Sequence, residues 1–188
     1  MQHASHRPSP HQVQGLTLIE LIISLTILLI LTAIGIPGMQ TLRAKNQQTT
    51  QINMYVTHFA LARSLAITRE QHQVICPSLN GESCLDQTDW SEGLIIFEDS
   101  DRNGERDADE PLHAWHQPIT PSEIKIHSTN GRKLVRYHAN GRQTGCNLTI
   151  TFCEPNDRIA PKAVIVSNMG RVRVSDKSPD GSPLKCSM

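Results

Sequence analysis

A run of 21 residues, "LTLIELIISLTILLILTAIGI" from Leu16 to Ile36, carries one charge, that of Glu20. About 20 apolar residues in a helix span the hydrocarbon core of a bilayer. A helix this apolar has no face to turn to water, so the rest of the chain must fold with one end seated in a membrane or among other apolar helices. Residues 1–15, "MQHASHRPSPHQVQG", are polar and end abruptly at the run. A secretory signal would place a small-residue cleavage site after the apolar segment, and "GIPGMQ" at residues 35–40 is a poor match. Glu20 is the anomaly. An acid at the centre of a membrane helix costs about 2.5–3.5 kcal/mol. Either it reaches the headgroups from near the helix start, or it pairs with a cation from another chain.

Helical periodicity resumes after "GIPG". Ile52, Tyr55, Val56, Phe59, Ala62 and Ala66 recur at spacings of three and four, which predicts one apolar stripe on a helix reaching about Arg69. Gly35, Pro37 and Gly38 are expected to bend or locally melt that helix. From Gln73 the pattern changes to short runs rich in β-branched and aromatic residues: "QVIC", "GLIIF", "LHAWH", "IKIHS", "LVRYH", "LTITFC", "AVIVS" and "RVRVS". Gly, Pro, Asn or Asp separates most of them. The expectation is an α+β chain: a leader over 1–15, a helix over 16–69 whose first part (16–36) is the transmembrane segment, and an antiparallel β-rich head over 70–188.

Formal charge balances at 18 basic and 18 acidic side chains, but it is segregated along the chain. Residues 70–131 hold thirteen acids and three bases, and residues 132–188 hold ten bases and four acids. A basic segment of this kind is the footprint of a polyanion binder. Within it, "MGRVRVSD" at 169–176 alternates Arg171 and Arg173 with Val172 and Val174. On a strand the two guanidiniums share one face, ~6.6 Å apart, and the valines are expected to anchor the other face in the core. Both arginines can donate in a fork to phosphate oxygens, or they can simply face solvent. Lys177 and Lys185 follow in a Ser/Pro/Gly-rich tail, and Arg132, Lys133, Arg136 and Arg142 are candidates for the same patch. Aromatics are few: two Trp, two Tyr and three Phe. Single-strand readers interleave aromatic platforms with cations, so for a nucleic-acid ligand this composition favours backbone contact with a duplex over single-strand stacking.

The five cysteines show no paired CxxC spacing, and behind a membrane-inserting segment they read as disulfides rather than a zinc site. Cys76 and Cys84 are expected to close a local loop. Cys153 with Cys186 would staple the tail to the head and leave Cys146 over; Cys146 with Cys153 is the alternative, leaving Cys186. "DSDRNGERDADE" at 99–110 places Asp99, Asp101, Asn103, Asp107 and Glu110 at the ligand positions of a calcium loop, with Gly104 at the turn. A strand-like run precedes it and Pro111 follows, so a solvated hairpin is the main reading and calcium the alternative; otherwise no cofactor is expected. The nine histidines lack HExxH or HxxxH spacing, and GxSxG, P-loop and GxGxxG patterns are absent. The chain reads as a non-enzyme.

"G-LTLIEL" at Gly15–Leu21 resembles the signal of type IV pilins and pseudopilins. That resemblance implies cleavage by a prepilin peptidase after Gly15 and methylation of Leu16, where most members carry phenylalanine. It also implies that Glu20, at the fifth mature position, pairs with the N-terminal amine of a neighbouring subunit. Pro37 falls where pilins commonly carry a helix-kinking proline. "VICPSLNGESC", "DWSEGLIIFEDSDRNGERDADEPL" and "IVSNMGRVRVSD" are similar to the minor pilin and pseudopilin H group, especially its FimT-like branch. The implied fold is the type IV pilin fold. In that branch, arginines of the C-terminal GRxR motif are implicated in binding DNA during natural transformation. The resemblance thus implies a minor pilin made as a single-pass inner-membrane precursor and displayed on a surface pilus, with duplex DNA, other major and minor pilins and prepilin peptidase as partners. The alternative is a structural minor pilin or a type II secretion pseudopilin that primes fibre assembly without binding DNA.

Overall fold

One helix, α1, runs from Leu18 to Arg69. The computed structural model describes residues 17–117, 123–129, 131–145 and 147–186. Thr17 caps the helix: its Oγ1 accepts the Glu20 N–H at 3.3 Å, satisfying one of the orphan donors of the first turn. Ser24 and Thr32 donate their hydroxyls to the carbonyls of Glu20 and Leu28, at 2.7 and 3.0 Å, and Thr26 donates to Ile23 O. The hydroxyl side chains of Ser24, Thr26 and Thr32 are therefore satisfied inside the helix, as a lipid environment would demand. The helix continues through Gly35, Pro37 and Gly38, so the expected local melting does not occur. Proline removes one backbone bond, whereas interrupting the helix would require a new and costly nucleus on its far side.

The chain divides into two units, Met1–Gln40 and Thr41–Met188. In the first, the large apolar side chains from Leu18 to Met39 are exposed, and α1 is long and apolar enough to cross a membrane.

Among the described residues of the second unit, eight strands follow α1: β1 (Gln73–Pro77), β2 (Leu94–Glu98), β3 (Leu112–His116), β4 (Lys125–Ser128), β5 (Val135–Tyr137), β6 (Leu148–Cys153), β7 (Lys162–Val166) and β8 (Val172–Ser175). They form two four-stranded antiparallel sheets, ordered β3-β2-β1-β5 and β4-β6-β7-β8. Period-two alternation assigns the faces. Ile75, Leu94 and Ile96 of the first sheet and Ile126, Ile150, Phe152, Val164 and Val166 of the second join Ile52, Tyr55, Phe59, Ala62 and Ala66 of α1 in the main core. Burying each large side chain contributes about 1.5–3 kcal/mol. The opposite face of β1 and β2 presents Val74, Cys76, Ile95 and Phe97 to a second cluster with Cys84 and Leu134. Two buried polar side chains of α1 are paired: Tyr55 donates to Trp90 O at 2.5 Å, and Gln48 donates to Phe152 O and Ala160 O.

Candidate nucleic-acid interface

Strands β7 and β8 are joined by a tight turn. The Gly170 N–H donates to Ser167 O at 2.7 Å and the Ser167 N–H to Arg171 O at 2.9 Å. The Arg171 N–H donates to Ser167 Oγ at 3.2 Å. Gly170 has φ +74°, and a Cβ there would collide with the carbonyl oxygen of Gly141. Only glycine combines that conformation with that approach. Gly141 belongs to the loop between β5 and β6, and its carbonyl accepts Arg63 Nε of α1 at 3.0 Å. Three elements thus meet at one point: α1, the Gly141 loop and the β7–β8 turn.

The ten basic side chains of residues 132–188 fall into two sets. Lys133 pairs with Asp86 at 2.6 Å, Arg136 with Asp99 at 2.7 Å, Arg158 with Glu154 and Glu123 at 2.6 and 3.0 Å, and Lys162 with Asp176 at 3.7 Å. Arg136 and Lys133 are therefore committed to acids of the first half of the head and leave the predicted patch. The approach of the acidic loop to β5 takes Arg136, and Asp86 of the β1–β2 connection takes Lys133; neither meeting is visible in linear charge. Arg132, Arg142, Arg171, Arg173, Lys177 and Lys185 have no ion-pair partner among the described residues. Arg142 and Arg171 are exposed and flank the Gly141–Gly170 contact. The Arg132 guanidinium packs on Gly145 of the same loop and donates to Thr144 O at 3.4 Å. Arg173, exposed, stands opposite Ile165 on β8. Lys177 and Lys185 lie apart in the tail: Lys177 bridges to Pro183, and Lys185 lines a groove with Cys153, Thr149 and Thr151 of β6.

The valines of "RVRV" do not behave alike. Val172 packs against the main core, but Val174 is 47% exposed, which corrects the expectation that both anchor the strand. β8 is the edge of its sheet, and only its first part is covered by α1. There, Val56, Ala60, Arg63, Ser64 and Ile67 of the helix and Gly170, Arg171 and Val172 line a groove of about 470 Å³. Arg63 is the site residue that sequence reasoning missed. Its only signal is its place beside Ala62 at the border of the buried stripe.

Beside the Gly141 loop, the rings of His72 and His138 stack edge-on at 4.8 Å. Burial, then the charges of Arg102 and His138, hold the His72 pKa below the usual histidine value. His72 is therefore neutral at physiological pH and adds no positive charge to the site.

The acidic loop is a β2–β3 hairpin, but it is not solvated throughout: Asp99 and Glu110 are buried. Asp99 accepts from Gly104 N–H and Arg136 Nε, and Glu110 from the N–H groups of Ser100 and Asp107. Asp101 accepts from Asn103, whose side chain also donates to Asp107. Carboxylate oxygens of Asp99, Asp101 and Glu110 lie within 4.8 Å of one another. These are hard oxygen donors, but Arg136 already supplies a positive charge to one of them. Among the described residues two disulfides are formed, Cys76–Cys84 and Cys153–Cys186. Gly15, Leu16 and Cys146 lie outside the described residues.

Two family models match the sequence. The prokaryotic N-terminal methylation motif covers residues 10–36, and the type II transport protein GspH model covers residues 51–170, more than half the chain. The chain belongs to the GspH family. No curated protein matches the sequence of this GspH-family chain. Among solved structures, its head and helix are similar to the type IV minor pilin FimU of Pseudomonas aeruginosa (strain PAO1) in two crystal forms. The first has a TM-score of 0.59 at 18% identity and covers 73% of this chain and 96% of that one. The second has a TM-score of 0.53 at 17% identity, with 71% and 98% covered. The minor pseudopilin EpsH of the Vibrio cholerae type 2 secretion system aligns at a TM-score of 0.45 and 10% identity, over 69% and 96%. The long N-terminal helix packed on antiparallel sheets is thus the type IV pilin fold, in agreement with the sequence expectation.

Proposed function

We propose that this chain is a minor pilin whose head binds duplex DNA without sequence preference, as a receptor for natural transformation. Its precursor is held in the inner membrane by Leu16–Ile36 and cut by prepilin peptidase after Gly15. Leu16 is then methylated, and Glu20 pairs with a neighbouring pilin's N-terminal amine during assembly into a surface pilus. The observation that carries the DNA reading is the sorting of cations. The acid-paired bases serve the fold, while Arg132, Arg142, Arg171 and Arg173 have no ion-pair partner among the described residues. Unpaired guanidiniums on a glycine-built turn suit phosphate oxygens, and the scarcity of aromatics suits backbone contact over base stacking.

The test is duplex binding by the full chain in detergent micelles across a range of salt, beside the double substitution Arg171→Gln, Arg173→Gln. Salt-dependent binding, with a slope that falls by about 1.8 in the folded double variant, supports the reading at ~0.9 per phosphate contact. A second reading, a type II secretion pseudopilin that primes assembly, is favoured by the description of the matching family model. Absence of duplex binding at low salt would leave that reading in place.

A further inference from the structure

We propose that Arg63 of α1 is itself a phosphate ligand, so that one strand of the duplex runs along the groove between α1 and β8. This rests on the DNA-binding reading above and adds a residue from a different element. Arg63 Nε donates to Gly141 O at 3.0 Å. That bond fixes the plane of the guanidinium and leaves its two Nη groups without an acceptor among the described residues. No carboxylate pairs with Arg63 there either. Arg171 lines the same groove. Two guanidiniums in one groove repel each other unless an anion lies between or beside them. Arg63 is already oriented, so engaging a phosphate costs it little side-chain entropy. The remaining walls are mostly apolar, Val56, Ala60, Ile67 and Val172, with the Ser64 hydroxyl as the one other polar side chain, which fits a sugar-phosphate strand.

The experiment measures the salt dependence of duplex binding by the full chain in detergent, for wild type, Arg63→Gln, Arg171→Gln and both together, with thermal unfolding of each. The expected result is a slope lower by about 0.9 in Arg63→Gln, whether or not Arg171 is present. Arg63→Lys, which keeps the charge, is expected to retain the wild-type slope. If Arg63→Gln leaves the slope unchanged, the proposal is wrong. If its effect vanishes in the Arg171→Gln background, Arg63 merely positions the β7–β8 turn and the proposal is also overturned. A wild-type chain that binds no duplex sinks the underlying reading instead, which distinguishes the two failures. If Arg63→Gln does not fold, the folded Arg63→Lys chain decides, because a lowered slope there contradicts a charge contact.

Discussion

Arg136 Nε donates to Asp99 Oδ2 at 2.7 Å, and the Asp99 carboxylate has no solvent exposure. This one pair ties β5 to the acidic loop and removes an arginine from the proposed DNA-binding surface. Replacing Arg136 with Met leaves a buried carboxylate with only the Gly104 N–H. Stability is expected to fall by about 3 kcal/mol, read as a shift in the denaturant midpoint. Arg136→Met, Asp99→Asn should recover part of it. The slope of duplex binding with salt should not change in Arg136→Met, in contrast to Arg171→Gln.

Gly170 is the second point of leverage. Its φ of +74° and its approach to Gly141 O leave no room for a methyl group. Gly170→Ala is expected to destabilise the head by about 2 kcal/mol and to displace Arg171 from the groove. Thermal unfolding and duplex affinity should fall together. A variant with full affinity would show that the turn is not what orients Arg171.

Glu154 governs acid stability. Its side chain is buried and accepts from Arg158 and Asn156. These hydrogen bonds, led by that of the Arg158 side chain, hold its pKa down at about 2 against an ordinary 4.5. The folded value is the lower one, so the stabilisation is fully present above pH 4.5. It is lost as pH falls from there through about 2. Denaturation from pH 7 to pH 2 should show this loss in wild type. Glu154→Gln should be less stable at pH 7 and show a shallower decline.

The Cys153–Cys186 disulfide closes a long loop, with a sequence separation of 33. Cys153→Ser, Cys186→Ser is expected to cost about 3–4 kcal/mol through the larger entropy of the unfolded chain. The tail over β6, Lys177 to Lys185, should lose amide-exchange protection at the same time. The Cys76–Cys84 disulfide closes a far shorter loop, with a separation of 8, so Cys76→Ser, Cys84→Ser should cost less.

How much could be read in advance depends on the range of the interaction. The apolar stripe of α1 from Ile52 to Ala66 is a local pattern, and all but the half-buried Val56 are fully inside the core. The eight strand runs are local too, and each appears within a residue or two of its expected bounds. Arg171, in the turn before β8, and Arg173, on β8, are both exposed, as the alternation implies. Pairing across the chain was not legible. Arg136 reads as one more cation in a basic segment until Asp99 approaches it. Val174 reads as core until β8 proves to be an edge strand, and Arg63 reads as a helix-border residue until Gly141 meets it.

By itself the sequence determined the membrane-competent segment, the helix stripe, the positions of the strands and the residue chemistry of the tail, because each depends on neighbours a few residues away. Only the tertiary structure decided the division into two sheets, the choice of Cys186 as the partner of Cys153 and the set of cations left without an ion-pair partner. Those depend on which groups meet across 30 or more residues of chain. Such meetings are selected by the packing of the whole core and not by any local pattern.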